Sequence, residues 1–140
     1  MFWKSTVHDC RLAYDYDHYL HGVVSAYLAR RDLAITDDDV LWAMTTHGYY
    51  GVWEQFNRPL GWCLRMADML EPSRDWSINR WVKDTVGLVR EAAYTGHLTE
   101  AAILWTERLI VWFEGDGIAV HPNMQRVCAS DSFNVYEFCA

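Results

Sequence analysis

Ala67-Asp68-Met69-Leu70-Glu71-Pro72-Ser73-Arg74-Asp75 is the stretch on which the reading of this chain turns. It has two readings. In the first it is a helix end. Leu60, Leu64, Ala67 and Leu70 recur at helical spacing, and Pro72 forbids a regular continuation because it has no N–H to donate and its ring blocks the preceding turn. Asp75 or Ser77 then caps the next helix, and Asp68 is solvated. In the second reading Asp68 sits within that apolar helical face, where a lone carboxylate is costly to bury and needs a partner. A metal ion is one such partner.

Upstream of this stretch, residues 22–31 read as a helix with Val24, Tyr27 and Leu28 on one face, and with Arg30 and Arg31 at the end where the helix dipole favours cations. Thr36-Asp37-Asp38-Asp39 has the form of a capping box opening a helix from Asp37 to Thr46. Its three consecutive Asp residues lack the alternating ligand spacing of a calcium loop and read as acids at a helix start. His47-Gly48 ends that helix, and residues 49–59 form a loop. His47 is either a cap on the last carbonyls or a metal ligand at a helix end. His21 is either a histidine at the start of its helix or a ligand.

Downstream, the expected helix runs from Asp75 to Tyr94 with Ile78, Trp81, Val82, Leu88, Val89 and Ala92 on its buried side. Gly96 is the stop. Thr99 caps a long helix to Glu114, rich in apolar and aromatic residues. Gly115-Asp116-Gly117 is a turn, residues 118–120 are extended, and His121-Pro122 opens a short last segment in which His121 is structural. Residues 131–140 read as a loosely held tail.

The chain has 140 residues, enough for one domain, and 51% of them are hydrophobic, enough for a core. The expected organisation is an all-α bundle of about six helices over residues 1–128, with residues 129–140 as tail. A net charge of −7 disfavours generic nucleic-acid binding, which needs Lys and Arg against phosphates, but not a phosphorylated small molecule held through a metal. Cys10, Cys63, Cys128 and Cys139 form no CxxC pair and read as free thiols in a reducing compartment. No apolar run reaches spanning length and Met1-Phe2-Trp3-Lys4 opens no signal peptide, so a cytoplasmic protein without membrane association is expected. Aromatic residues after Trp76 suit a homodimer face as well as a core.

The segment ADMLEPSRDW resembles the Ala-Asp-x-x-Glu-Pro-x-Arg-Asp-aromatic signature of the HD-superfamily branch that contains the bacterial symmetrical diadenosine tetraphosphate hydrolases (YqeK-type). Two further segments resemble the same family in the same order. Residues 20–35, LHGVVSAYLARRDLAI, match its Leu-His-Gly helix. Residues 40–51, VLWAMTTHGYYG, match its helix ending in a histidine turn. The similarity covers about residues 20–121, most of the chain.

The resemblance implies an HD-type helical fold and a divalent or di-iron centre of iron, manganese or zinc, a choice that suits imidazole with carboxylate and no nearby thiolate. His8-Asp9 is similar to the family's metal-binding His-Asp pair. By the resemblance His8, Asp9 and Asp68 hold one ion, His21 and His47 the second, and Asp9 and Asp68 are the catalytic carboxylates. Glu71, Arg74 and Asp75 line a nucleotide pocket, with Arg74 as the phosphate partner through its paired donors. Arg11 joins them as the substitute for a family lysine, because position 12 is Leu. A rival alignment makes His18 the first ligand; the Leu20-His21-Gly22 match fits the spacing to His47 and Asp68. Only seven residues precede His8, so the family's first helix, with its own metal-binding histidine, has no counterpart, and the first ion is left under-coordinated.

The implied reaction is cleavage of a dinucleoside tetraphosphate to two nucleoside diphosphates. The alternatives are a catalytically impaired nucleotide-binding or protein-interaction module, and another HD chemistry such as di-iron oxidation.

Overall fold

The structure, a computed structural model, describes residues 17–48, 58–129 and 133–135. His8, Asp9, Arg11 and most of the expected loop at 49–59 lie outside the described residues, as does the side chain of His18. Among the described residues there are six helices and no strand: α1 Asp17–Asp32, α2 Asp38–Thr46, α3 Pro59–Leu70, α4 Val86–Tyr94, α5 Leu98–Gly115 and α6 Pro122–Ala129. The all-α expectation holds. None of these helices is long and apolar enough to cross a membrane. The chain forms two compact units, residues 1–65 and 66–140.

In the first unit α1 packs on α2. The buried face of α1 is Val23, Ala26 and Ala29, not the expected Val24, Tyr27 and Leu28, which are exposed. The physical reason is close approach. A Cβ built on Gly22 would lie 2.6 Å from the carbonyl oxygen of Met44 and 2.7 Å from that of Thr45. Only the face carrying Gly and Ala lets α1 come that near, so the larger side chains turn outward. Ala26 and Ala29 close a small core with Leu41, flanked by Ile35 and Met44.

The connection from α1 to α2 passes through Ala34 at φ 54°, in the left-handed region. The amides of Leu33 and Ile35 both return to the carbonyl of Ala29. α2 starts one residue later than the Thr36 box requires. Asp37 is its cap, and the carboxylate of Asp37 accepts from the amides of Asp39 (2.9 Å) and Val40 (3.2 Å).

α3 opens with Pro59 in its first turn, where no N–H is missed. Its buried positions are Trp62, Arg65, Met66 and Met69; Leu60 and Leu64 are exposed. Of the apolar row Leu60, Leu64, Ala67 and Leu70, the first three are exposed and Leu70 is half-buried, so most of that row faces outward.

In the second unit no helix spans Asp75 to Tyr94. Turns occupy most of residues 71–85, and α4 begins only at Val86. The competing interactions are local. The carboxylate of Asp75 accepts from the Ser77 amide (2.9 Å), and the side-chain oxygen of Asn79 accepts from the Trp81 amide (2.9 Å). Such side-chain bonds offer the backbone an alternative to the helical ladder. Ile78 and Leu88, expected on the buried side, are 86% and 57% exposed, while Val82, Val89 and Ala92 are buried as expected.

α4 packs on α5 and α5 on α6. Gly96, at φ 87°, makes the tight α4–α5 turn, and His97 rather than Thr99 stands at the start of α5. The Thr99 hydroxyl instead donates to the side chain of Asn134 (3.2 Å) and accepts from the Val135 amide (3.1 Å). With Phe133 and Val135 buried, residues 133–135 are held against the unit rather than loose. His121 has a structural role: its Nδ1 accepts from the Asn123 amide at 3.0 Å, in the first turn of α6.

At the far end of α5, Asp116 accepts from the indole N–H of Trp112 (2.7 Å) and of Trp81 (3.0 Å), with Arg80 at 3.4 Å. A Cβ on Gly115 would enter the Trp81 ring, 2.3 Å from Cζ2.

Candidate functional site

His21 lies in the second turn of α1 and His47 is the residue that caps α2. Their Nε2 atoms are 2.8 Å apart, and the rings meet edge to face with centroids at 4.6 Å. His47 Nδ1 lies 2.6 Å from the carbonyl oxygen of Met44. A carbonyl can only accept, so Nδ1 carries the proton and Nε2 of the neutral ring presents a lone pair. His21 then supplies the proton of the bond between the rings. A histidine whose far nitrogen donates to a backbone carbonyl is oriented in the way metal-ligating histidines usually are.

Two imidazole nitrogens bound to one ion at about 2.0–2.1 Å stand roughly 3.0–3.4 Å apart, depending on coordination geometry. The pair is within a few tenths of an ångström of the lower limit.

Each of the two histidines is followed by a glycine, and the glycines serve the opposite ring. A Cβ on Gly48 would lie 2.4 Å from Cε1 of His21; a Cβ on Gly22 would lie 3.2 Å from Nδ1 of His47. Arg65 completes the arrangement from α3. Its Nε donates to the carbonyl of His47 (3.2 Å), its Nη2 donates to the carbonyl of Thr46, and its guanidinium sits 4.7 Å from the ring centroid of Trp62.

Among the described residues no group of three or more His, Cys, Asp or Glu side chains is placed to hold a metal ion. His8 and Asp9 lie outside the described residues. Asp68, in the second unit, is 48% exposed, and its carboxylate receives Arg74 Nη1 at 2.6 Å. Arg74 also reaches the Asp68 carbonyl (3.1 Å) and lies over Trp76, 4.9 Å from the ring centroid. Asp68 thus has its partner, and that partner is an arginine.

Arg74 and Asp75 line an open groove of ≈ 580 Å³ in the second unit, together with Ser73, Trp76, Ser77, Lys83, Asp84 and Arg90. Glu71 is not in its wall. The Glu71 carboxylate binds the hydroxyl (2.6 Å) and amide (3.1 Å) of Ser73, and the hydroxyl above all holds its pKa below the usual value. Asp75 is held low in the same way by Ser77. Arg90 donates to the Glu71 carbonyl at 3.1 Å. Three cations and two carboxylates therefore face the groove, a balance that suits an anionic ligand in an otherwise acidic chain.

Sequence reasoning missed Arg65, Lys83 and Arg90. Arg65 shares the spacing of Trp62, Met66 and Met69, and a choice of that face over Leu60 and Leu64 would have marked it as a buried cation. Lys83 and Arg90 were hidden by the assumed helix from Asp75.

Comparisons with family models, with curated proteins and with solved structures find no match for this chain. The resemblance to the HD-type hydrolases rests on the quoted residues.

Proposed function

We propose that this chain is an HD-type metal-dependent phosphohydrolase acting on a nucleotide, with a dinucleoside tetraphosphate as the first substrate class to test. The observation that carries the reading is the pair of imidazoles with Nε2 atoms 2.8 Å apart, one of them locked by a carbonyl behind it. An iron, manganese or zinc ion bound there would lower the pKa of water and polarise a phosphoryl group.

The chain's own part is more specific. His47 keeps its Nδ1 proton on Met44 and offers Nε2. His21 offers its Nε2 lone pair once its proton moves to Nδ1. In the second unit taken by itself, Arg74 has the paired donors that suit phosphate oxygens, and Lys83 and Arg90 add positive charge to the same groove. Asp68 holds Arg74 in place. In the reaction proposed, water would add to a central phosphorus and the bridging oxygen would leave with one nucleoside diphosphate, the other being formed by the added water.

The test is metal analysis of protein purified without chelator, followed by product analysis with a dinucleoside tetraphosphate. Stoichiometric metal that is lost in His47→Ala, and nucleoside diphosphate as sole product, are the expected results. Absence of iron, manganese and zinc, together with failure to bind added zinc, would sink the reading.

The pairing of Asp68 with Arg74 favours a second reading, a nucleotide-binding module without turnover. Nucleotide binding with no product would select it.

A further inference from the structure

We infer that Arg65 is the positioning residue of the histidine pair, holding the end of α2 at the angle from which His47 reaches His21. The inference rests on the metal reading for its purpose and on α2 and α3 for its geometry.

A helix leaves its last carbonyls without intrahelical donors. Here two of them, on Thr46 and His47, are taken by one guanidinium from another element. That side chain is 3% exposed, in a position where an unpaired cation would be heavily penalised. The two carbonyls and the face of Trp62 are among its contacts, and the fixed fork of the guanidinium suits it to gripping both carbonyls at once.

The carbonyls it grips belong to the residue that carries the imidazole and to the residue before it. Only the rotation about the His47 Cα–Cβ bond and the ring torsion remain, and the Nδ1 bond to Met44 fixes the ring. Arg65 therefore sets the backbone and Met44 sets the side chain. A local cap would satisfy the same carbonyls without tying them to α3. The choice of a buried arginine makes the placement of His47 depend on Trp62 and the α3 backbone.

Arg65→Met keeps an unbranched side chain of similar length and removes the donors. Arg65→Lys keeps the charge and loses the fork. The experiment measures zinc affinity and the imidazole nitrogen signals of His21 and His47 by NMR, at a temperature where each variant is folded by circular dichroism. Ala29→Gly, buried in the same unit and remote from the pair, serves as a control for lost stability.

Arg65→Met is expected to weaken zinc at least tenfold, within the range seen for outer-shell partners of metal ligands, and to abolish the fixed protonation pattern of His47. Arg65→Lys should fall between, and Ala29→Gly should bind zinc as the parent does. Zinc affinity unchanged in Arg65→Met, or weakened equally in Ala29→Gly, overturns the inference. Should Arg65→Met not fold, Arg65→Lys decides by the same comparison. Should the parent bind no zinc, the metal reading fails, and the inference is then judged on the nitrogen signals: an unchanged His47 pattern in the Arg65 variant overturns it.

Discussion

A methyl group on Gly48 would lie 2.4 Å from Cε1 of His21, closer than real contacts allow, so Gly48→Ala has to move the ring. The expected result is loss of the bond between the two Nε2 atoms and a matching loss of zinc affinity, with little loss of stability, because the group displaced is the end of an exposed side chain. A nitrogen-detected NMR spectrum with the parent pattern intact in Gly48→Ala would contradict the geometry. At this scale the sequence was partly legible. Two His-Gly pairs stand in plain view at 21–22 and 47–48, and the resemblance assigned both histidines to one ion. That each glycine makes room for the other pair's ring is a property of the helix approach and could not be read from either pair alone. Asp68 was legible as a carboxylate that needs a partner, but the partner is Arg74, six residues on, across a turn whose shape depends on Ser73 and Pro72.

Helices were found near the positions of α1 to α5, but the buried faces of α1 and α3 were not. On α1 and α3 the expected inner faces were read from Val24, Tyr27, Leu28, Leu60 and Leu64, and the structure buries the neighbouring ones: Gly22, Val23, Ala26 and Ala29 on α1, Trp62, Met66 and Met69 on α3. Hydrophobicity alone does not separate a face that packs closely from one that is merely apolar. The segment from Asp75 to Thr85 failed differently. Its apolar spacing suits a helix, but Asp75 and Asn79 bond to amides two residues on and divert the chain into turns. The start of α2 permits a direct test between two neighbouring caps. Asp37→Ala is expected to cost about 1 kcal/mol in urea unfolding, whereas Thr36→Ala should change little. A larger effect at Thr36 would restore the capping box expected from the sequence.

Across the second unit, acid sensitivity follows from three carboxylates whose pKa values are held down: Glu71 by Ser73, Asp75 by Ser77, and Asp116 chiefly by the indole of Trp81. A carboxyl group with a depressed folded pKa binds protons more weakly than in the unfolded chain. Its contribution is therefore present above the unfolded value and is lost as the pH falls through the folded one. For Asp116 that window lies below its ordinary value of 3.8. Stability should be flat above about pH 5 from this source and decline below about pH 4. Asp116→Asn should flatten the acid limb, and tryptophan emission, which senses the bonds to Trp81 and Trp112, should report the transition directly. An acid limb identical in the variant would mean that Asp116 does not set it.

The two glycines beside the histidines are not equally bound to their identity. Position 48 is crowded by a side chain; position 22 is crowded by the main chain of Met44 and Thr45. In a lineage that gave up the imidazole at 21, residue 48 would be released to drift. Position 22 would stay glycine for as long as the two helices cross, whatever became of the chemistry.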